Sequence, residues 1–124
     1  MRLLLDTHAF IWWTSDAPEL SQRARAAIAE PANDILVSIA SLWEIAIKRA
    51  LGKIDFPEDF ETTLTEEGFR LLPISFAHLR ALETLAPKHR DPFDRMLVAQ
   101  AIADALVVVS GDPMVAQYEP PILW

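Results

Sequence analysis

Residues 3–6 read Leu-Leu-Leu-Asp, a fully apolar run that ends directly at a carboxylate. A short apolar run of this kind predicts a buried strand. The pattern returns at Ile35-Leu36-Val37-Ser38 and, most clearly, at Leu106-Val107-Val108-Val109. Two weaker runs lie at Leu71-Leu72-Pro73-Ile74, whose proline suits an edge or a strand end, and at Ile122-Leu123. The chain therefore carries four or five predicted strands.

Predicted helices alternate with these strands. They cover residues 20–29, 42–51, 57–67, 75–86 and 92–105. Pro31, Gly52, Gly68 and Pro87 lie just beyond the first four helices and are natural stop signals. Strands that alternate with helices indicate an α/β fold built on a parallel sheet. We predict one such domain over residues 1–124.

The composition is that of an ordinary globular domain. The chain has 124 residues, 52% of them hydrophobic, which is enough to bury a core without cross-links. It contains no cysteine, and this excludes a disulfide framework and thiolate metal sites. No apolar run approaches the roughly 20 residues that a bilayer requires, and Asp6 comes too early for the start to be a signal peptide. We therefore expect a cytoplasmic protein with no membrane association.

The charge balance is acidic, with 11 Lys and Arg against 18 Asp and Glu and a net charge of −7. Nucleic-acid-binding proteins usually carry a basic surface, so this balance by itself argues against such a partner. The objection weakens if several carboxylates hold divalent cations, because a bound cation reverses the local field. Basic residues cluster at 48–53 and 88–95, where they fit either phosphate contacts or ordinary solvated charges.

Carboxylates follow the predicted strands at the positions where a parallel sheet binds its ligands. Asp6 comes directly after the first strand, Glu44 lies in the first turn of the helix after the second, and Asp112 lies three residues after the fourth. Ligands of open parallel sheets bind outside the carboxyl ends of the strands. Asp94 begins the helix that precedes the fourth strand, and it joins the group only if residues 87–91 bring it across.

Each of these carboxylates also has a purely structural explanation. Residues 41–44, Ser-Leu-Trp-Glu, fit a capping box, and residues 91–94, Asp-Pro-Phe-Asp, fit a helix start with Asp91 as the cap. Asp6 and Asp112 fit turn residues. Asp6 nevertheless favours a functional site, because a carboxylate at the end of an all-leucine strand is costly to desolvate unless something pairs with it.

Four segments together resemble the motifs of PIN-domain ribonucleases, and most closely those of the VapC toxins of prokaryotic toxin–antitoxin pairs. They are Leu4-Leu5-Asp6-Thr7-His8, Ser38-Ile39-Ala40-Ser41-Leu42-Trp43-Glu44-Ile45, His89-Arg90-Asp91-Pro92-Phe93-Asp94-Arg95 and Val109-Ser110-Gly111-Asp112. They occur in the family's order, and the resemblance covers essentially the whole chain. The Asp-Pro-Phe-Asp-Arg and Ser-Leu-Trp-Glu-Ile segments are its most specific parts. Gly111 stands where members of the family often carry a larger or charged residue.

The resemblance implies a Rossmann-like sheet with helices on both faces. It also implies endonucleolytic cleavage of RNA, inhibition by a cognate antitoxin protein, and a homodimer. The exposed apolar stretch at Trp43–Leu51 is a candidate surface for a helix of the antitoxin. Mg²⁺ or Mn²⁺ would be held by the acidic residues that match the family's, namely Asp6, Glu44, Asp94 and Asp112.

These residue types suit a hard divalent cation. Mg²⁺ and Mn²⁺ prefer oxygen ligands, and a cation relieves the repulsion among clustered carboxylates. On the resemblance, we expect Asp6 and Asp94 to be direct or water-bridged ligands. Asp112 and Glu44 would complete a second site or orient the attacking water. The hydroxyls of Thr7 and Ser110 would hold a carboxylate or a metal-bound water. The structural alternative is that each hydroxyl forms a hydrogen bond with its own backbone. One ion or two is left open.

Other conspicuous residues are left outside the predicted site, with phosphate contact or proton transfer as the alternative for His8 and His89. His8 and His89 lack a partner at ligand spacing, so neither is placed in the site, and His78 is predicted to lie at the surface. Arg95 fits a phosphate contact or a surface ion pair equally well. Three aromatic residues are predicted to form core or a subunit interface, with base stacking as the alternative: Phe10, Trp12 and Trp13.

Two other classes of function compete with a metal-dependent endoribonuclease. A response-regulator receiver domain would need a lysine just after the last core strand and adjacent acidic residues after the first. The chain has Ser110-Gly111-Asp112 and Asp6-Thr7 at those places, so this class fails. A non-catalytic binding module with the same fold would normally have lost some carboxylates, and here all of them are present.

Overall fold

The computed structural model describes residues 1–124 and contains five strands. The strands are β1 (Arg2–Leu5), β2 (Asp34–Ser38), β3 (Arg70–Leu72), β4 (Val107–Val109) and β5 (Ile122–Leu123). The helices are α1 (Thr7–Thr14), α2 (Gln22–Ala29), α3 (Ile39–Ala50), α4 (Phe60–Glu67), α5 (Phe76–Glu83) and α6 (Pro92–Asp104), and a single 3₁₀ turn covers Val115–Gln117. None of these helices combines the length and the apolar character needed to cross a bilayer.

The strands form one sheet in the order β3-β2-β1-β4-β5, and every pairing is parallel. The leucine strand β1 is central. Leu3 pairs with Ile35 of β2 on one side and with Val107 of β4 on the other. Leu4 and Leu5 are fully buried, as Leu3 is. The predicted parallel α/β sheet is therefore confirmed, with β5 as its short fifth strand.

Helices cover both faces of this sheet, and side chains of β1 alternate between the two layers. Leu3 and Leu5 pack with Phe10 of α1 and with residues of α2, α3 and α4. Leu4 packs instead with Val98 and the rest of the buried side of α6. Successive side chains of a strand point to opposite faces, so an all-apolar strand requires an apolar layer on each side.

Helix α1 was not predicted from the sequence. Its residues Thr7–Thr14 are mostly β-branched and aromatic, and such residues are weak helix formers. Two tertiary features override this preference. Asp6 caps the helix by accepting a hydrogen bond from the Ala9 amide at 2.7 Å, and Ala9 and Phe10 are fully buried against the sheet. Phe10 is thus a core residue, as predicted.

Helix α3 begins three residues before its predicted start at Leu42. Ser38 is its N-cap, with Oγ accepting a hydrogen bond from the Ala40 amide at 3.0 Å. The capping box that offered a structural explanation for Glu44 is therefore absent, and Glu44 lies in the second turn of the helix, not in the first as predicted. By contrast, Asp91 caps α6 as predicted, with Pro92 at the first helical position.

Several other predicted boundaries shift by a few residues. Helix α4 starts at Phe60 with Asp59 as its cap, not at Pro57, and α5 is shorter than predicted. The third strand covers Arg70–Leu72, which places Pro73 just beyond its end. Proline cannot donate a hydrogen bond to the sheet, so the strand ends before it.

His78 is buried, so its predicted surface position is wrong. Its side chain is only 3% exposed. Nδ1 accepts a hydrogen bond from the Ser75 amide at 3.0 Å, and Nε2 lies 3.0 Å from an oxygen of Asp104. Gln100 Nε2 is 3.4 Å from Nδ1. This His78 cluster joins the start of α5 to the end of α6.

Candidate active site

The sheet topology brings the four predicted carboxylates to one edge. Asp6 and Asp112 follow β1 and β4, the neighbouring central strands. Glu44 is carried by α3, which leaves the carboxyl end of β2. Asp94 is in the first turn of α6. A helix that leads into a parallel strand runs back across the sheet, and the 13 residues of α6 span about 20 Å. Its start therefore lies at the carboxyl edge.

Asp6 is 5% exposed and is held by the backbone of two elements. Its amide continues the strand pairing by donating to Val109 O at 3.0 Å, while its Oδ1 caps α1. Burial raises the pKa of the Asp6 carboxyl, although the Ser110 hydroxyl and the Ala9 amide lower it. The charge of Asp112 raises it further. A buried carboxyl that resists ionisation is suited to pairing with a cation.

Glu44 is also 5% exposed, and both of its oxygens have partners. Thr7 donates a hydrogen bond from Oγ1 to Oε1 at 2.7 Å, and Lys48 Nζ lies 2.8 Å from Oε2. The hydroxyls of Thr7 and Ser41 are 3.1 Å apart. The hydrogen bond and charge of Glu44 raise the pKa of Lys48, which keeps the ammonium charged. The negative charge of Glu44 is thus already balanced by the Lys48 ammonium.

Asp94 is the carboxyl most affected by its surroundings. Burial raises its pKa to about 6 from an ordinary value of 3.8. A hydrogen bond from His89, whose Nε2 lies 2.9 Å from Oδ2, opposes this rise. The negative charges of Asp91, Asp6 and Glu44 all raise the pKa further. The predicted site residues are therefore close enough to repel one another.

Asp112 faces the same imidazole. Its Oδ2 lies 3.8 Å from His89 Nε2, and its Oδ1 accepts a hydrogen bond from the Met114 amide at 2.9 Å. The Asp112 amide donates to Ser110 Oγ at 3.1 Å. Since the Ser110 hydroxyl also lowers the pKa of Asp6, this one side chain connects two of the carboxylates.

His89 was missed by sequence reasoning, because its partners are distant along the chain or hidden by the helix start. Donor atoms of His89, Asp94 and Asp112 all lie within 4.8 Å of one another. The only local signal was the spacing of five residues between His89 and Asp94, which has no meaning until the loop before α6 is known.

Arg95 fixes that loop and forms no ion pair, so the surface ion pair predicted as one of its two alternatives is wrong. Its guanidinium donates to the carbonyl oxygens of Ala86 at 3.0 Å and His89 at 3.4 Å, and to Tyr118 Oη at 3.2 Å. These contacts hold the chain that carries His89 against α6. Arg95 therefore positions the site indirectly, through the loop that carries His89.

An open pocket of about 380 Å³ adjoins the acidic cluster on the side of α1. Asp6 and Asp112 line it together with His8, Trp12 and other residues of its outer wall. Gly111 is in the loop above it, where a Cβ atom would lie only 2.6 Å from Cε2 of Trp124. A larger residue at position 111 would clash with this indole.

The donor set fits a divalent cation. Aspartate oxygens are the ligands that Mg²⁺ and Mn²⁺ prefer, and Asp6, Asp94 and Asp112 converge from three elements. Burial, reinforced by neighbouring carboxylates, raises the pKa values of Asp6 and Asp94, and a bound cation would favour their charged forms. Lys48 forms an ion pair with Glu44, and His89 is the one basic side chain in contact with Asp94 and Asp112.

Comparisons with known proteins agree with this architecture. A family model described as PIN domain matches residues 3–119. The chain is 28% identical over 126 aligned positions to the protein named ribonuclease VapC22 of Mycobacterium tuberculosis (strain ATCC 25618 / H37Rv), and the match covers 96% of this chain and 93% of that protein.

Two solved structures share the fold. One is the crystal structure of VapBC2 from Rickettsia felis bound to a DNA fragment from their promoter, with a TM-score of 0.70, 16% identity, and coverage of 98% of this chain and 97% of the matched chain. The other is a toxin–antitoxin complex from Klebsiella pneumoniae, with a TM-score of 0.63, 18% identity, and coverage of 97% and 94%. At these identities the likeness concerns the fold.

Proposed function

The chain belongs to the PIN domain family, and from this premise we propose that it is a metal-dependent endoribonuclease and the toxin of a toxin–antitoxin pair. The observation that carries the proposal is the convergence of Asp6, Glu44, Asp94 and Asp112 on one sheet edge, where burial, reinforced by the neighbouring carboxylates, raises the pKa of Asp94 to about 6. Membership of this family also removes the receiver-domain alternative. The ribonuclease name of the relative with 28% identity supports the same reaction class.

We assign the cation, Mg²⁺ or Mn²⁺, to Asp6, Asp94 and Asp112. When bound, such an ion lowers the pKa of a water molecule and stabilises negative charge on a phosphodiester undergoing attack. The chain's own part is to hold the three carboxylates in place before the ion arrives. Capping of α1 fixes Asp6, the His89 contact fixes Asp94, and the Met114 amide fixes Asp112.

Glu44 has a different proposed role, because both of its oxygens are engaged. It holds the buried Thr7 hydroxyl through Oε1 and Lys48 through Oε2, and we assign the orientation of water to the remaining lone pairs of the two oxygens. Lys48 is half-exposed, so its ammonium is placed to meet a substrate phosphate. This arrangement supports an RNA substrate in spite of the net charge of −7.

An antitoxin protein is the proposed partner, and a groove between α3 and α4 is its proposed docking surface. The groove has a volume of about 340 Å³ and is almost entirely apolar, and its walls include Trp43, Ile39 and Leu64. Trp43 is 59% exposed. Exposed apolar grooves of this kind accept amphipathic helices. The homodimer stays a prediction, and cytoplasmic location is proposed because RNA and the antitoxin would be met there.

Two helix-capping aspartates provide the test of the nuclease proposal. Asp6 and Asp59 both accept a hydrogen bond from a backbone amide at the start of a helix, at 2.7 and 2.9 Å. Asparagine caps helices as well as aspartate does, so both Asp→Asn variants should fold. We expect Asp6→Asn to lower Mg²⁺- or Mn²⁺-dependent cleavage of total RNA at least roughly 100-fold. Asp59→Asn should cleave like the wild type.

Cleavage would be followed on gels and mapped by sequencing, in parallel samples with EDTA. Full activity in Asp6→Asn, or activity that EDTA does not reduce, would contradict the mechanism. A wild-type protein that binds RNA but never cleaves it would instead favour the non-catalytic binding module.

A further inference from the structure

Three aromatic rings form one wall of the pocket beside the acidic cluster. His8 and Trp12 are four residues apart on α1, and their rings stack with centroids 5.3 Å apart and planes inclined by 22°. Trp124, which follows β5, meets Trp12 at 5.9 Å and 54°. The imidazole of His8 is exposed and both indoles are partly so. The chain therefore presents three aromatic rings, each at least partly exposed to solvent, next to its predicted catalytic centre.

Trp12, Trp13 and Trp124 are all half-buried and pack in part against the core. They differ in the partner of the indole N–H group, and Trp13, the next residue on α1, has one. Its ring lies against Phe69, and its Nε1 donates to Glu67 at 2.9 Å. The indole N–H groups of Trp12 and Trp124 have no acceptor within the protein. Flat rings at the wall of an open cleft are the surfaces on which unpaired bases stack.

A single carboxylate faces this pocket from its outer side. Glu19 lines the pocket, is exposed, and forms no ion pair or hydrogen bond through its side chain. A carboxylate only accepts hydrogen bonds. Guanine offers two adjacent donors, N1–H and N2–H, to a carboxylate. Uracil offers a single donor between two carbonyl oxygens, which a carboxylate repels.

We propose that this pocket binds a base of single-stranded RNA next to the scissile phosphate, with Trp12 and Trp124 as the stacking surface and Glu19 selecting guanine over uracil. The position of the base follows from the lining, since Asp6 and Asp112 belong both to the pocket and to the acidic cluster. This proposal rests on the proposed ribonuclease function for its biological meaning. It makes base selection a property of α1 and the chain after it, separate from the carboxylates.

Binding without catalysis is the first test. The indole N–H signals of ¹⁵N-labelled protein would be followed by NMR in EDTA during titration with GMP and with UMP. Both probes carry the same phosphate, so their ratio isolates the base. We expect the Trp12 and Trp124 signals to move, with GMP binding roughly ten-fold tighter than UMP. Trp12→Ala should weaken both probes by roughly ten-fold.

Glu19→Gln separates selection from stacking and alters only an exposed side chain. It should remove most of the preference for GMP while the indole signals still move with both probes. Trp13→Phe is the matched control and should bind like the wild type. Equal binding of GMP and UMP by the wild type, a preference that survives in Glu19→Gln, or movement of Trp13 without Trp12 would each overturn the proposal.

Cleavage mapping is the second test, and it distinguishes this proposal from the first one. We expect a guanine-enriched position beside the wild-type cleavage sites, which disappears in Glu19→Gln and remains in Trp13→Phe. If the wild type cleaves no RNA but its indoles still select GMP, the nuclease proposal fails and the base pocket stands. If cleavage depends on Asp6 but shows the same base preference in Glu19→Gln, the base pocket fails and the nuclease proposal stands.

Discussion

Two histidine–aspartate pairs of nearly equal length lie in different parts of this molecule. His78 Nε2 is 3.0 Å from Asp104 Oδ2, and His89 Nε2 is 2.9 Å from Asp94 Oδ2. Both pairs link α6 to another part of the chain. His78, at the start of α5, meets the end of α6, and His89, in the loop before α6, meets its start. The contact alone therefore does not distinguish a structural pair from a functional one.

The surroundings do distinguish them. In the His78 cluster every strong donor has an acceptor. His78 Nδ1 accepts a hydrogen bond from the Ser75 amide, and His78 Nε2 pairs with Asp104. The one buried polar atom without a partner is Gln100 Oε1, which is neutral. At the other end of α6, His89 faces the carboxylates of Asp94 and Asp112 together.

Uncompensated charge is thus the mark of the site. Burial, reinforced by Asp91, Asp6 and Glu44, raises the pKa of Asp94 to about 6, against the opposing effect of His89. A polar cluster that satisfies itself stabilises the fold, whereas one that retains excess negative charge needs a ligand from outside. Three predictions test this comparison.

The largest expected effect is on catalysis. Asp94→Asn should reduce metal-dependent RNA cleavage by about 100- to 1,000-fold, because it removes a proposed ligand and transition-state charge stabilisation. Asp104→Asn makes the same chemical change in the other pair and should leave cleavage within a few-fold of wild type. Initial rates on a mapped RNA substrate would measure both. Comparable losses in the two variants would erase the distinction between the clusters.

The second effect concerns stability in the absence of metal. The Asp94 pKa is about 6 in the folded protein and near 3.8 in the unfolded chain, so the unfolded chain releases its proton first as pH rises. Below pH 3.8 this group does not affect the free energy of unfolding. As pH rises through 6, the group lowers the free energy of unfolding progressively, by about 3 kcal/mol at most. In EDTA, the melting temperature of Asp94→Asn relative to wild type should rise between pH 4 and pH 7.5.

Adding Mg²⁺ should narrow that difference, because the cation stabilises the wild-type carboxylate. Asp59→Asn provides a control of opposite sign. Hydrogen bonds from the Thr62 hydroxyl and amide lower the pKa of Asp59, so its removal should destabilise the protein increasingly as pH rises from 3 to 5. A constant difference between Asp94→Asn and wild type across the pH range would show that Asp94 is not under electrostatic strain.

The smallest expected effect concerns the free energy of unfolding, to which His78 should contribute more than His89. His78→Ala removes the acceptor of the Ser75 amide and the partner of Asp104, whose side chain is 28% exposed, so it should lower the free energy of unfolding by about 2 kcal/mol. His89→Ala removes a ring that is 17% exposed, against 3% for His78, and should lower the free energy of unfolding by less than about 1 kcal/mol. Urea denaturation of both variants would measure this. Equal losses would mean that His89 is as much a part of the fold as His78.

The fold was predictable because its decisive signals are local. The leucines of β1 and the valines of β4 leave no polar face, so these strands had to be buried in the centre of a parallel sheet. Helix α1 was not predictable in the same way. Its threonines and tryptophans disfavour a helix, and only burial of Phe10 and the Asp6 cap, both tertiary facts, make it one.

The candidate site was predictable in its carboxylates but not in its neighbours. Asp6 and Asp112 follow from strand ends, and Glu44 and Asp94 rest on the resemblance, since capping explained each of them locally. The contact of His89 with Asp94 depends on a loop that Arg95 holds by its backbone carbonyls, and no spacing rule encodes such a loop. The burial of His78 is hidden for the same reason, because Asp104 lies 26 residues away.

The central position of β1 also has a consequence for the time at which the protein becomes active during synthesis. β1 is translated about a hundred residues before its partner β4. Until then, Asp6 lacks both the Val109 carbonyl that anchors its amide and the opposing carboxylates of α6 and the β4 loop. A nascent chain on the ribosome thus holds a dispersed set of acids, and the complete site forms in one late step, when nearly the whole domain can fold together.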